Sequence, residues 1–356
     1  MHLEHALISQ IVPPLDESAM AAARERQKTL TKPPGSLGRL EELSIQLAGI
    51  FHDPSPTIED KVILTMAGDH GVVAEGVSAF PQEITAQMVG NFLNGGAAIN
   101  VLARHAGARV VVVDMGVAHD LPPTPNLVDK KIGRGTRNLA QGPAMTRREA
   151  VEALKAGADV AESELERGLD ILAVGEMGIG NTTPSTAIAS ALMNLPPEEI
   201  AGRGTGLDDA GLDRKIQAVK KGLDVNQPNR GDVIDVLAKV GGFEIGGMAG
   251  AILAVAARGR PVMVDGFIAT AAAMISVGLA PTIQPYLIAG HLSDERGHRL
   301  MLDWLDLDPL LDLRMRLGEG TGAALGFSLA EAACKTLNEM ATFAEAGLSS
   351  GESTAA

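Results

Sequence analysis

Four short runs rich in β-branched residues constrain this chain most: Val62 to Met66, Arg109 to Asp114, Ile171 to Gly175 and Pro261 to Asp265. Long stretches with helical periodicity separate them, at Glu83 to His105, Thr146 to Arg167, Asp208 to Val225 and Glu244 to Arg258. Apolar strands alternating with helices are the pattern of crossover units in a parallel sheet. The reading is an α/β chain with a parallel-sheet, Rossmann-like large domain over residues 61–290. The flanks, 1–60 and 291–356, are helical in pattern without a convincing strand, and are expected to pack together as a smaller helical domain.

Each run passes straight into a chemically rich loop. These are Gly68-Asp69-His70-Gly71, Asp114-Met115-Gly116, the stretch from Glu176 to Pro184, and Asp265-Gly266-Phe267. Ligands of open α/β sheets bind beyond the carboxyl ends of the strands, so four such loops point to one shared crevice.

A formal charge of −14 argues against a general nucleic-acid surface, which needs clustered Lys and Arg. An anionic ligand must instead be met locally, and backbone N–H groups at helix starts, approached through some of the 41 glycines, can do that. The apolar stretch from Ile268 to Leu279 is too short to span a bilayer, which takes about twenty residues. The N-terminus lacks a basic region followed by an apolar run. Together with the single cysteine, Cys334, which has no disulfide partner, this leads to the expectation of a cytoplasmic protein without a membrane partner.

The loop from Gly175 through Gly178 and Gly180 to Asn181 can cradle an anion, with Thr182 or Thr183 capping a helix that opens at Pro184. A tight turn with an ordinary cap is the alternative, but it leaves Glu176 unexplained. Neither G-x-G-x-x-G after the first run nor G-x-x-x-x-G-K-[ST] occurs, so dinucleotide and ATP sites are unsupported. Gly318-Glu319-Gly320-Thr321-Gly322 sets one carboxylate between glycines just before an alanine-rich helix. Against apolar walls that carboxylate would titrate high and accept a proton near neutral pH. Equally, it could sit in a capping turn favoured by the helix dipole. Asp69-His70 lacks a second ligand at metal spacing, which favours a structural or substrate-orienting role. Lys215, after Gly202-x-Gly204-x-Gly206, either adds a cation to a phosphate site or belongs to a solvated helix face.

Six blocks then coincide with one family: KPPGSLGRLE from Lys32, AGDHGV from Ala67, GEMGIGNTTP from Gly175, NQPN from Asn226, KVGGFEIGGMAG from Lys239 and RLGEGTGAAL from Arg316. In this order the chain resembles the nicotinate-nucleotide:dimethylbenzimidazole phosphoribosyltransferases over roughly residues 30–335. The resemblance implies transfer of a phosphoribosyl group from nicotinate mononucleotide to 5,6-dimethylbenzimidazole in cobalamin biosynthesis, with inversion at the anomeric carbon. It also implies a homodimer.

By the same resemblance Glu319 is the base that removes the benzimidazole proton, and Glu176, Gly178 and Asn181 help hold the nucleotide. Thr182, Gly318 and Asp265 join the expected substrate contacts, with Lys215 as the candidate phosphate cation. The leaving group is already a pyridinium, so departure needs no general acid; Glu176 can also stabilise the ribosyl cation-like transition state. No pyrophosphate leaves, so neither metal nor cofactor is called for. The acceptor needs an apolar slot, for which Phe80, Met88 and Leu317 are candidate walls and Gln87 a candidate orienting group. Two competing readings use the same crevice: a non-catalytic nucleotide-binding protein, and a hydrolase of nicotinate mononucleotide.

Overall fold

The computed structural model describes residues 12–204 and 206–349. In chain order its elements are α1 (Glu17–Thr29), α2 (Arg39–Phe51), β1 (Lys61–Gly68), α3 (Glu83–Leu93), α4 (Ala98–Ala106), β2 (Ala108–Gly116), β3 (Leu127–Asp129) and α5 (Arg147–Glu166). There follow β4 (Ile171–Met177), α6 (Thr182–Met193), α7 (Pro197–Ile200), α8 (Asp209–Asn226), α9 (Val233–Val240), α10 (Phe243–Ala257) and β5 (Val262–Val264). The chain continues with α11 (Phe267–Leu279), β6 (Leu287–Ala289), α12 (His298–Trp304) and α13 (Thr321–Glu339).

The six strands form one sheet in the order β3-β2-β1-β4-β5-β6, and every pairing is parallel. The central strands read as unbroken apolar runs because both faces of the sheet are covered. Successive side chains of β1 point to opposite layers. Val62, Leu64 and Met66 join the core built from α5, α6, α10 and α11. Ile63 and Ala67 join the other core, with Leu43 and Leu47 of α2 and Ala323, Phe327 and Ala330 of α13. Helices from both flanks of the 61–290 span thus help cover the sheet.

On the first face α10 lies very close against α5. A Cβ on Gly157 would run into the Gly247 carbonyl, and one on Gly250 into the Leu154 carbonyl. Each contact is with backbone, so a methyl group can be accommodated only by moving a helix. Gly250→Ala is expected to destabilise the fold by about 1–3 kcal/mol or more, against the small gain alanine gives in helix propensity. Urea denaturation followed by circular dichroism measures this; an unchanged midpoint would mean that the two helices separate without cost.

Three local expectations differ from the structure. β3 and β6, three residues each, carry too little pattern to be seen as strands. The stretch Glu83 to His105 is two helices, because Gly95 takes a left-handed φ of 74° between them. And α6 starts at Thr182 with Asn181 in the capping position and no side-chain cap, so neither Thr182 nor Thr183 acts as one. Among the described residues, no helix is long and apolar enough to cross a membrane.

Candidate active site

β1 and β4 are neighbours at the centre of the sheet, and the chain builds outward from them in opposite directions. That is the switch point at which a crevice opens beyond the strand ends. The loops after β4, β5 and β6 converge there on a cavity of 290 Å³, lined among others by Glu176, Gly178, Asn181, Thr182, Asp265, His291, Ser293, Glu295, Leu317 and Gly318. Phe80, 48% exposed, and Leu317, 59% exposed, supply large apolar surface to its lining.

Glu319 is held at the edge of this crevice by an unusual backbone. Gly318, Glu319 and Gly320 have φ of 85°, 64° and 98°, three consecutive left-handed residues of which the middle one carries a side chain. Such a conformation persists only where its surroundings enforce it. Here the Glu319 N–H donates to the Glu176 carbonyl (3.2 Å), and its carbonyl accepts from the Thr65 hydroxyl (3.0 Å). Its carboxylate accepts from the Ile99 N–H at the start of α4 (3.1 Å). The residue is 4% exposed. Burial raises its pKa, the Ile99 N–H lowers it, and the Asp265 carboxylate raises it again.

Glu176, near the end of strand β4, is also buried and accepts a hydrogen bond from the Asn181 amide. Burial pushes its carboxyl up to about 8; Asn181 opposes this, while the carboxylates of Glu244, Asp265 and Glu319 act in the same direction as burial. Asp265 follows β5 and accepts from the backbone N–H groups of Gly320 (3.2 Å), Gly322 (2.7 Å) and Ala323 (3.0 Å). Four acidic side chains thus gather around the switch point, which is suited to a ligand that carries or develops positive charge.

The remaining expected residues are placed unevenly. Phe80, Glu176, Gly178, Asn181, Thr182, Asp265, Leu317 and Gly318 line the cavity. Lys215 is fully buried beneath it and donates to the Gly202 carbonyl (2.9 Å). It does not lie on a solvated helix face; burial brings its pKa down to about 8, opposed by Glu295. Thr182 and Gly204 separate it from the cavity. Gln87 is exposed on α3, and Met88 and Met177 each pack against the core on the α2–α13 side of the sheet, which includes Ile99, whose N–H meets the Glu319 carboxylate.

Sequence reasoning passed over several residues here. Glu244, at the start of α10, pairs with His70 across 2.9 Å with both side chains buried, immediately behind Gly178. Burial lowers the His70 pKa, but the Glu244 charge and hydrogen bond outweigh it and leave a net rise. His291, Ser293 and Glu295 were missed because β6, the strand that delivers them, is so short. Arg316 lines the cavity and donates to the Gly204 carbonyl (3.1 Å); its place beside Gly318 in the RLGEG block was the available signal.

A family model described as Phosphoribosyltransferase matches residues 12–348. The chain is 58% identical over 336 residues to a nicotinate-nucleotide–dimethylbenzimidazole phosphoribosyltransferase of Roseiflexus sp. (strain RS-1), covering 94% of this chain and 95% of that protein. It is 58% identical over 349 residues to the protein of the same name from Chloroflexus aurantiacus, covering 98% and 99%. Among solved structures, CobT from Thermus thermophilus superposes with a TM-score of 0.91 at 49% identity, covering 94% of this chain and 100% of that one. The switch-point crevice, the glycine-flanked Glu319 and similarity along nearly the whole length have one explanation: the chain belongs to this phosphoribosyltransferase family.

Proposed function

We propose that the protein transfers the phosphoribosyl group of nicotinate mononucleotide to 5,6-dimethylbenzimidazole, giving α-ribazole 5′-phosphate and nicotinate with inversion, as a step of cobalamin biosynthesis. The observation that carries this reading is Glu319, a carboxylate buried at the switch point on a strained backbone, whose pKa is raised by that burial. One ring nitrogen of the benzimidazole forms the bond to C1′. The C1′–nitrogen bond to nicotinate breaks, and its electron pair neutralises the pyridinium. The proton on the second benzimidazole nitrogen passes to Glu319.

The nucleotide lies in the 290 Å³ cavity, its cationic ring and C1′ near Glu176, and its phosphate on the Gly178 to Thr182 backbone with Lys215 beneath. The acceptor occupies the apolar side walled by Met88, Met177 and Leu317, next to the Glu319 carboxylate; Phe80 borders the cavity, and Gln87, exposed on α3, is the group assigned to orient the ring. Residues 61–290 form the substrate-binding core, and the flanking segments act as a smaller helical lobe. The Leu30–Thr342 bridge and the hydrogen bonds from Arg26 to the Leu337 and Asn338 carbonyls support that pairing. The protein works as a homodimer in the cytoplasm, and light scattering at the mass of one 36.9 kDa chain would oppose the first half of that statement.

The test is chromatography of reactions containing nicotinate mononucleotide with and without dimethylbenzimidazole. Nicotinate release only when the benzimidazole is present is the expected result. Equal release in its absence would establish a hydrolase, and binding without release a nucleotide-binding protein.

A further inference from the structure

We propose that Asp265 is a positioning residue for Glu319, acting from the end of β5 as the cap of α13. The inference rests on the reading of Glu319 as the base.

Helix α13 starts at Thr321, and its capping position is Gly320, which has no side chain with which to satisfy the first N–H groups. Those groups are met from another part of the sheet. One Asp265 oxygen accepts from Gly322 and Ala323, and the other accepts from Gly320, the residue directly after Glu319. Capping by a carboxylate across space serves the same purpose as a local Asp or Asn cap and meets the positive end of the helix dipole. His291, with Nε2 3.7 Å from Asp265, packs against the same first turn, where Gly322 leaves room for its ring.

The consequence falls on the loop before the helix. Glu319 holds a left-handed φ without being a glycine, and its own backbone is already tied to β1 through Thr65 and to β4 through the Glu176 carbonyl. Asp265 adds the third tie, from the residue after β5, so that three neighbouring strands fix the backbone that carries the Glu319 carboxylate. Both Asp265 oxygens are engaged in this task, although the residue also borders the cavity. In this assignment Asp265 acts through Glu319 rather than on the substrate.

A kinetic double-mutant cycle separates the two roles. Asp265→Asn keeps an acceptor for Gly322 and Ala323 but turns an amide donor toward the Gly320 N–H. It is expected to lower kcat by roughly 10–100-fold while the dissociation constant of nicotinate mononucleotide changes by less than about threefold. In a Glu319→Gln background the same substitution should cost almost nothing more. A fully additive loss, an unchanged kcat, or a loss confined to nucleotide affinity would each overturn the assignment. If Asp265→Asn does not fold, Asp265→Ser, which retains an acceptor oxygen, takes its place in the cycle. Wild-type turnover by Glu319→Gln alone would instead defeat the reading of the base, whatever Asp265 does.

Discussion

Glu319→Gln is expected to lose about 10²–10⁴-fold in kcat with little change in nicotinate mononucleotide affinity, the range associated with removal of a general base. Glutamine preserves the side-chain length and can still accept from the Ile99 N–H, so the loop and the Glu176 contact should survive. What disappears is the ability to take a proton. The cavity proposed for the nucleotide is lined by other residues, Glu176, Asn181 and Thr182 among them, so binding should be spared. Stopped assays with saturating benzimidazole, together with titration calorimetry of the nucleotide, measure both quantities. A fall in affinity with kcat preserved would move Glu319 from proton transfer to binding.

Glu176→Gln is expected to reduce kcat/KM by about 10–100-fold at pH 8 and to flatten its pH dependence, because the proposed mechanism sets this charge against the developing ribosyl cation. In the free protein the Glu176 carboxyl is pushed up to about 8 by burial and by the neighbouring carboxylates, so at pH 6 it is mostly protonated. Wild-type kcat/KM should accordingly rise between pH 6 and 8. Burial also raises the pKa of Glu319, and the two carboxyls act on each other, so the profile belongs to the pair rather than to either residue. Removing Glu176 should leave only the pH dependence governed by Glu319. An unchanged profile would show that Glu176 carries no charge-dependent role.

The same group acts on stability in the opposite direction. Its folded pKa of about 8 lies above the ordinary value of 4.5, so below pH 4.5 it exerts no penalty and folding becomes progressively less favourable as pH rises toward 8. Urea midpoints should fall over that window in the wild type and fall less in Glu176→Gln. If the two proteins respond identically, the carboxyl is not buried in its charged form.

Much of this architecture was legible from residues alone because burial on both faces of a sheet leaves a strong trace. Val62 to Met66 and Ile171 to Gly175 are apolar at every position or nearly so, and each lies within a strand of the sheet. Helix α5 was equally plain, since Thr146 and Glu149 form a capping box ahead of it. β3 and β6 could not be read in the same way, since three residues at a sheet edge show neither period nor length. The break between α3 and α4 follows from the backbone at Gly95, which competes with a helical pattern that continues on both sides.

At the site, residues adjacent to a glycine-rich loop were recognisable, whereas partners brought in from another element were not. Glu244 lies in a stretch read as helix and as one of the family's blocks, but nothing local says that His70 will meet it. Lys215 looks like one of several cations on a charged helix; its burial depends on how the Gly202 to Gly204 loop folds over it. Asp265 was visible as a loop residue, but its three backbone hydrogen bonds are made to a segment more than fifty residues away. Long-range capping leaves no periodic signal for a sequence to display.

The central claim is phosphoribosyl transfer with inversion, and the most direct measurement is proton NMR of the product formed from nicotinate mononucleotide and dimethylbenzimidazole by the wild-type protein. The expected result is a benzimidazole nucleotide phosphate with the α configuration at C1′, formed in equal amount to the nicotinate released. A β-configured nucleotide, or ribose 5-phosphate without any benzimidazole adduct, would contradict it.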